Sequence, residues 1–189
     1  MKRMAEPRDT VEIVNVVAST GIGQEINLKQ ATLALDGADY DPKRFPGLVY
    51  RTKEPKTAAL IFRSGKIVCT GAKSINDVYK GLEKVFQSLR NIGIDVQGTP
   101  EIKVQNIVAS ADLHSVLNLN AIATGLGLEN IEYEPEQFPG LVYRLSDPKV
   151  VILLFGSGKL VVTGGKKPED MVNAVDRIVE ELNSLSLLR

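Results

Sequence analysis

The chain has 189 residues, 43% of them hydrophobic, with 23 Lys and Arg against 23 Asp and Glu. That length buries one or two ordinary cores, while no apolar run approaches the ~20 residues of a membrane span and the opening Met1-Lys2-Arg3-Met4-Ala5-Glu6 lacks the apolar centre of a secretory signal, so a cytoplasmic protein without membrane contact is expected. A single cysteine, Cys69, and a single histidine, His114, exclude an internal disulfide framework, a Cys/His metal centre and a catalytic triad, so no cofactor or metal is expected.

Residues 11–18 are an apolar, β-branched run that reads as a strand. Asn27 then opens a short helix through Leu28, Ala31, Thr32 and Leu35. A brief extended piece at 38–41 ends at Pro42, and strands follow over 47–52, 57–62 and 66–70, the last two joined by a tight turn at Arg63-Ser64-Gly65. Ser74 caps a long helix in which Ile75, Val78, Leu82, Val85, Phe86 and Leu89 recur at helical spacing, and Asn91-Ile92-Gly93 ends it.

The same order then begins again. Phe45-Pro46-Gly47-Leu48-Val49-Tyr50-Arg51 returns as Phe138-Pro139-Gly140-Leu141-Val142-Tyr143-Arg144, and the stretch from Ile61 to Gly71 returns from Leu154 to Gly164, both at an offset of 93. Asn15-Val16-Val17-Ala18-Ser19 matches Asn106-Ile107-Val108-Ala109-Ser110 at an offset of 91. Two copies of such length are neither a solenoid nor an array. They predict an extension over 1–10, a first repeat over 11–100 and a second over 101–189, together an α+β fold of ten antiparallel strands and four helices related by a pseudo-two-fold. The charge divides unevenly between the copies: 11–100 hold twelve Lys and Arg against nine Asp and Glu, whereas 101–189 hold eight against twelve. Such a balance argues against a uniformly basic nucleic-acid binder but leaves room for cations gathered on one face.

Alternation along the strands puts Ile61, Ile67 and Cys69 on one side and Leu60, Phe62, Lys66, Val68 and Thr70 on the other. Both sides are rich in apolar residues, yet two helices per repeat can cover only one. The remaining face needs a partner: another sheet, a second subunit, a lipid or a nucleic acid. It gathers Asn15, Val17, Phe45, Val49, Arg51, Leu60, Phe62, Lys66, Val68 and Thr70, with their counterparts Asn106, Val108, Phe138, Val142, Arg144, Leu153, Phe155, Lys159, Val161 and Thr163. Matched cations suit a lipid poorly. An A·T-rich minor groove displays only acceptors, whereas guanine adds an amino group that an apolar floor leaves unsatisfied. Valine and leucine therefore select against G·C, Asn and Thr donate to the acceptors, Arg and Lys meet phosphates, and Phe can wedge between base steps.

These paired blocks resemble the TATA-box-binding protein family of general transcription initiation factors. Pro42-Lys43-Arg44-Phe45, Glu54-Pro55-Lys56-Thr57-Ala58-Ala59-Leu60-Ile61-Phe62, Ser64-Gly65-Lys66, Thr70-Gly71-Ala72-Lys73 and Tyr133-Glu134-Pro135-Glu136 carry the resemblance, which spans residues 10–186. It implies a saddle in which one curved sheet bears the four helices on its convex side. It implies DNA kinking by Phe45, Phe62, Phe138 and Phe155, and base contacts from Asn15, Val17, Leu60, Val68, Thr70, Asn106, Val108, Pro139, Leu153, Val161 and Thr163. Phosphates would meet Arg51, Ser64, Lys66, Lys73, Arg144, Ser157, Lys159 and Lys166, and transcription factor B would meet Glu132, Glu134, Glu136 and Gln137. The implied partners are double-stranded TATA-box promoter DNA, transcription factor B and, indirectly, RNA polymerase, in a nucleoid-associated setting. A weak homodimer in the absence of DNA is compatible with the apolar face. Retention of Phe-Pro-Gly in both copies resembles archaeal members rather than nuclear ones, and no function is assigned to the tail Leu185-Ser186-Leu187-Leu188-Arg189.

The same residue types also have plainer uses. A strand Phe is ordinarily core, a Lys after a hairpin turn is ordinarily solvated, and the acidic segment at 132–136 has the composition of a plain surface loop. A scaffold that hides its apolar face in a homodimer would also use such strands. Catalysis finds little support: Ser64-Gly65-Lys66 lacks the spacing of a phosphate loop, and Gly21-Ile22-Gly23 lacks the third glycine of a dinucleotide fingerprint.

Overall fold

The computed structural model describes residues 6–188, so the first five residues of the expected extension and Arg189 lie outside it. The chain divides into two compact units, one formed by 15–105 and the other by 106–188 together with the segment up to Val14. In the first unit, strand β1 (Glu12–Gly21), whose residues from 15 on belong to it, leads to helix α1 (Leu28–Ala34), strands β2 (Leu48–Lys53), β3 (Lys56–Ile61) and β4 (Lys66–Ala72), and helix α2 (Ile75–Asn91). The second unit has strand β5 (Lys103–Asp112) from residue 106 on, helix α3 (Leu119–Leu126), strands β6 (Ile131–Glu132), β7 (Leu141–Ser146), β8 (Lys149–Leu154) and β9 (Lys159–Gly165), and helix α4 (Pro168–Ser184). All pairings within each unit are antiparallel, β2 with β3, β3 with β4 and β4 with β1, then β6 with β7, β7 with β8, β8 with β9 and β9 with β5.

Helix starts follow the side chains that can cap them. Asn27, Ser74 and Asn118 each accept a hydrogen bond from the backbone N–H three residues on, which satisfies a donor that the first turn leaves orphaned. The buried stripe of α2, Val78, Leu82, Val85, Phe86 and Leu89, packs on β2, β3 and β4, where Leu48, Ala59, Ile61, Ile67 and Cys69 face it. Met171, Val175, Ile178 and Leu182 of α4 close the second core in the same way over Ile152, Leu154, Leu160 and Val162. Burial also raises the pKa of the Cys69 thiol, despite a lowering contribution from its hydrogen bond with Thr57.

The expected tenth strand does not form. At 38–41 only a single bridge joins Asp39 to Val49, whereas the equivalent Ile131 and Glu132 make a two-residue strand on β7. Ile131 is buried and anchors that strand; Ala38 at the same place in the first repeat has little side chain to bury, so the pairing shortens to one residue pair. The α+β class, the two repeats, the antiparallel pairing and four α-helices stand, with nine strands among the described residues. A short 3-10 helix, Pro7–Thr10, is an element that the sequence pattern did not reveal. It packs on α4, where Arg8 lies 3.7 Å from Asp176, and at the end of β5 Thr10 Oγ1 accepts from the Asp112 N–H at 2.8 Å. No described helix is long and apolar enough to cross a membrane.

Candidate nucleic-acid interface

Within each unit the strand face opposite the helices is half-buried rather than buried, and it carries the residues singled out above. Val17, Leu60, Val68 and Thr70 alternate with fully buried neighbours, as do Val108, Leu153, Val161 and Thr163. Arg51 and Arg144 are exposed on the same face of β2 and β7. Side chains are half-buried when an apolar strand face has packing on one side only.

A glycine bulge fixes the two asparagines. The β1–β4 register shifts beside Val16, opposite Gly71 at φ +83°, and the β5–β9 register shifts beside Ile107, opposite Gly164 at φ +98°. The freed Gly71 N–H donates to Asn15 Oδ1 at 2.7 Å, and the Gly164 N–H donates to Asn106 Oδ1 at 2.7 Å. Those bonds use the amide oxygens and assign the orientation of each amide. Asn15 Nδ2 then reaches Thr70 Oγ1 at 3.4 Å and Asn106 Nδ2 reaches Thr163 Oγ1 at 3.3 Å, with a second amide hydrogen to spare in each case. Receiving that bond leaves the Thr70 hydroxyl hydrogen free to donate outward, whereas the Thr163 hydroxyl also lies 3.5 Å from Asn106 Oδ1, to which it can donate. Each repeat therefore offers a spare Asn amide hydrogen as a donor, with a Thr hydroxyl beside it.

The four phenylalanines form two edge-to-face pairs. Phe45 and Phe62 have ring centroids 5.8 Å apart at 66°, and Phe138 and Phe155 have theirs 5.9 Å apart at 72°. Phe45 is 37% exposed and Phe138 40%, large values for aromatic rings. The glycine of each Phe-Pro-Gly makes room for its pair. A Cβ on Gly47 would lie 2.9 Å from Phe45 Cε1 and 3.0 Å from Phe62 Cε1, and one on Gly140 would lie 2.8 Å from Phe138 Cε1 and 3.0 Å from Phe155 Cε1. A 440 Å³ recess beside Phe45 is lined by Val49 and Leu60, and one of 540 Å³ beside Phe155 by Ser157, Lys159 and Val161. Pro139 is exposed next to Phe138.

The hairpin tips are held by backbone bonds from the loop after the first strand of each repeat. Ile22 and Ile26 donate to the carbonyls of Gly65 and Arg63, and Leu113 and Leu117 donate to those of Gly158 and Gly156. Gly65 and Gly158 sit at φ +90° and +93°, and a Cβ at either would strike the carbonyl of Gln24 or Ser115. Ser64 and Ser157 are exposed at these tips, each hydroxyl accepting from the N–H of Lys66 or Lys159, themselves exposed. Lys73 and Lys166 follow β4 and β9 and are also exposed. Arg144 and Lys166 line a common cavity of about 600 Å³ to which Lys149 contributes a third cation and Asp170 an anion.

Glu134, Glu136 and Gln137 lie on an exposed turn closed by bonds from the Gln137 and Phe138 N–H groups to the Glu134 carbonyl. Glu132 is separated from them: it stands on β6 opposite Val142, and its carboxylate is 3.6 Å from the Arg144 guanidinium. Sequence reasoning also passed over Ile13, Val104, Ala58, Val151, Lys56 and Lys149, which share the open face by the same alternation that found their neighbours. His114, in a left-handed conformation at φ +53°, lies outside this set.

The family described as transcription factor TFIID, or TATA-binding protein, matches residues 10–92 and again residues 101–185. The chain belongs to the TATA-binding protein family. That family consists of DNA-binding transcription factors, not enzymes. A TATA-box-binding protein of Haloarcula marismortui is 69% identical over 185 residues, which cover 98% of this chain and 100% of that one. One from Archaeoglobus fulgidus is 64% identical over 178 residues, 94% of this chain and 97% of its own. The solved structure of the Methanococcus jannaschii TATA-binding protein matches with a TM-score of 0.82 at 53% identity, covering 92% of this chain and 98% of that one. These relatives are archaeal.

Proposed function

We propose that the chain is a general transcription initiation factor that binds the minor groove of A/T-rich TATA-box promoter DNA. It bends the duplex by inserting Phe45, Phe62, Phe138 and Phe155 between base steps, and it recruits transcription factor B and, through it, RNA polymerase. The observation that carries the reading is the pair of Asn amide donors, each beside a Thr, whose oxygens are occupied by Gly71 and Gly164. Adenine N3 and thymine O2 are acceptors, so Asn amide hydrogens held toward the groove fit A·T and T·A alike. The surrounding Val and Leu side chains meet base edges without offering guanine's amino group an acceptor, which leaves a buried donor unpaired and costs roughly 1–3 kcal/mol. Arg51, Lys66, Lys73, Arg144, Lys159 and Lys166 supply the charge for phosphates, with Ser64 and Ser157 beside them. The acidic turn at 134–137, with Glu132, suits a basic surface on transcription factor B.

Inosine separates groove from sequence. An inosine·cytosine pair presents the minor groove of A·T but a major groove like that of G·C, because only the guanine amino group is missing. Binding to a T/A-rich octamer should persist when its A·T pairs become I·C and fail when they become G·C. Loss of binding on the I·C duplex would overturn minor-groove reading, and equal binding on all three would return the apolar face to a protein partner.

A further inference from the structure

The two open faces carry the same Asn, Thr, Leu and Val residues at equivalent positions, so most of the groove-reading surface is blind to which half of a site it meets. One position differs in a way that matters to a base edge. Ala58 and Val151 are equivalent, both half-buried, and both stand directly across strands from the reading Thr and the phosphate-side Arg: Ala58 opposite Thr70 and Arg51, Val151 opposite Thr163 and Arg144. Such cross-strand neighbours hold their Cβ atoms about 4.5–5.5 Å apart. Val151 therefore carries two more methyl groups into the space beside the Thr163 side chain than Ala58 carries in beside Thr70. The other difference in the apolar floor, Ile13 against Val104, exchanges one β-branched residue for another.

We infer that Ala58 and Val151 set the direction in which this chain lies on its DNA, by making the first repeat tolerant of a G·C pair that the second repeat rejects. The inference rests on the minor-groove reading above. Guanine's amino group projects from the groove floor. Next to Val151 it meets methyl groups and no water. Next to Ala58 there is space for the amino group and a water molecule that accepts its hydrogen bond. A methylene-sized difference in an apolar pocket is worth at least about tenfold in discrimination. A site with one G·C pair would draw the first repeat over that half, while a site of A·T pairs alone, with its degenerate groove pattern, would be met in both directions.

The test uses the full chain with Lys43→Cys, an exposed position two residues before Phe45, carrying a tethered hydroxyl-radical source; native Cys69 is buried and stays unlabelled. The duplex is a T/A octamer symmetric in its minor-groove pattern, with one G·C pair placed in either half. Strand cleavage is expected at the half bearing the G·C pair by about ten to one. Ala58→Val should remove that bias and weaken binding to the G·C duplex about tenfold, and the exchange of both residues, Ala58→Val with Val151→Ala, should reverse the bias. Equal cleavage of both halves by the otherwise native chain, or a bias unchanged by the exchange, would overturn the inference. Failure to bind the all-T/A duplex at all would instead overturn the minor-groove reading on which it rests.

Discussion

Gly140 shows how a single residue can matter without touching a ligand. Its backbone sits so close to Phe138 and Phe155 that a methyl group would fall inside contact distance of both rings, and Gly47 repeats the arrangement. Gly140→Ala should therefore turn the exposed Phe138 ring out of its edge-to-face pairing with Phe155. We expect DNA affinity to fall about tenfold or more, with the thermal unfolding midpoint lowered by only a few degrees because both rings lie at the surface of the unit. Affinity and melting measured on the same preparation check this, and unchanged affinity would show that the ring positions do not matter. The asparagines make a different point at this scale. Their recurrence marked them in the sequence as donors, but the bond that orients each amide comes from a glycine more than fifty residues away, and no local pattern announces a bulge of that kind.

At the level of elements, the end of α4 departs from the usual residue choice. The Leu187 N–H donates to the Leu182 carbonyl and the Ser186 N–H to that of Asn183, a Schellman closure in which Ser186 takes the left-handed position at φ +57° that glycine normally fills. Ser186→Gly should relieve the Cβ strain, offset in part by the greater entropy of an unfolded glycine, and raise stability by about 0.5–1 kcal/mol, or ~1–3 °C in melting temperature. The tail to which no function was assigned thus has a structural place, since Leu185 and Leu187 lie over Gly125 of α3.

The join of α4 to β7 carries a pH signature. Burial, followed by the hydrogen bond and negative charge of Glu181, pushes the Tyr143 hydroxyl up to about 12; the O–H donates to Glu181 Oε2 at 2.7 Å. An unfolded tyrosine ionises near 10, so the unfolded chain loses this proton first. The contribution to stability is complete below about pH 10 and disappears as pH rises toward 12. Urea unfolding of the native chain should weaken more over that interval than unfolding of Tyr143→Phe, and parallel curves would remove Tyr143 as the cause. Elements of this length were largely legible in the sequence because capping residues and apolar spacing are local. The strand at 38–41 was not, since its persistence depends on how much Ala38 or Ile131 can bury against other strands, and the 3-10 helix at Pro7–Thr10 depends on a contact with Asp112 about one hundred residues away.

For the molecule as a whole, a net charge of zero conceals cations on the open faces and anions on α4 and the acidic turn. Binding to DNA should weaken linearly on a logarithmic salt scale, and Lys66→Ala or Lys159→Ala should each lower the slope by about 1 while weakening binding to all sequences alike. A slope that stays constant would take those lysines off the phosphates. Duplication was the most legible property of the chain, because two copies of Phe-Pro-Gly and Ser-Gly-Lys at one offset declare themselves without any structure. Less legible was what breaks the duplication on the open face. Ala58 against Val151 is a small change in a strand, and its meaning emerges only once both residues are seen beside a threonine and an arginine.

The central claim is that the paired phenylalanines kink a T/A-rich minor groove. Energy transfer between dyes at the two ends of a short duplex tests it most directly, comparing a T/A-rich octamer with a G·C-substituted control and the native chain with Phe138→Ala and Phe155→Ala. A large shortening of the end-to-end distance on the T/A duplex alone, lost with either substitution, is the predicted result. Binding that leaves the duplex straight, or bending that survives both substitutions, would contradict it.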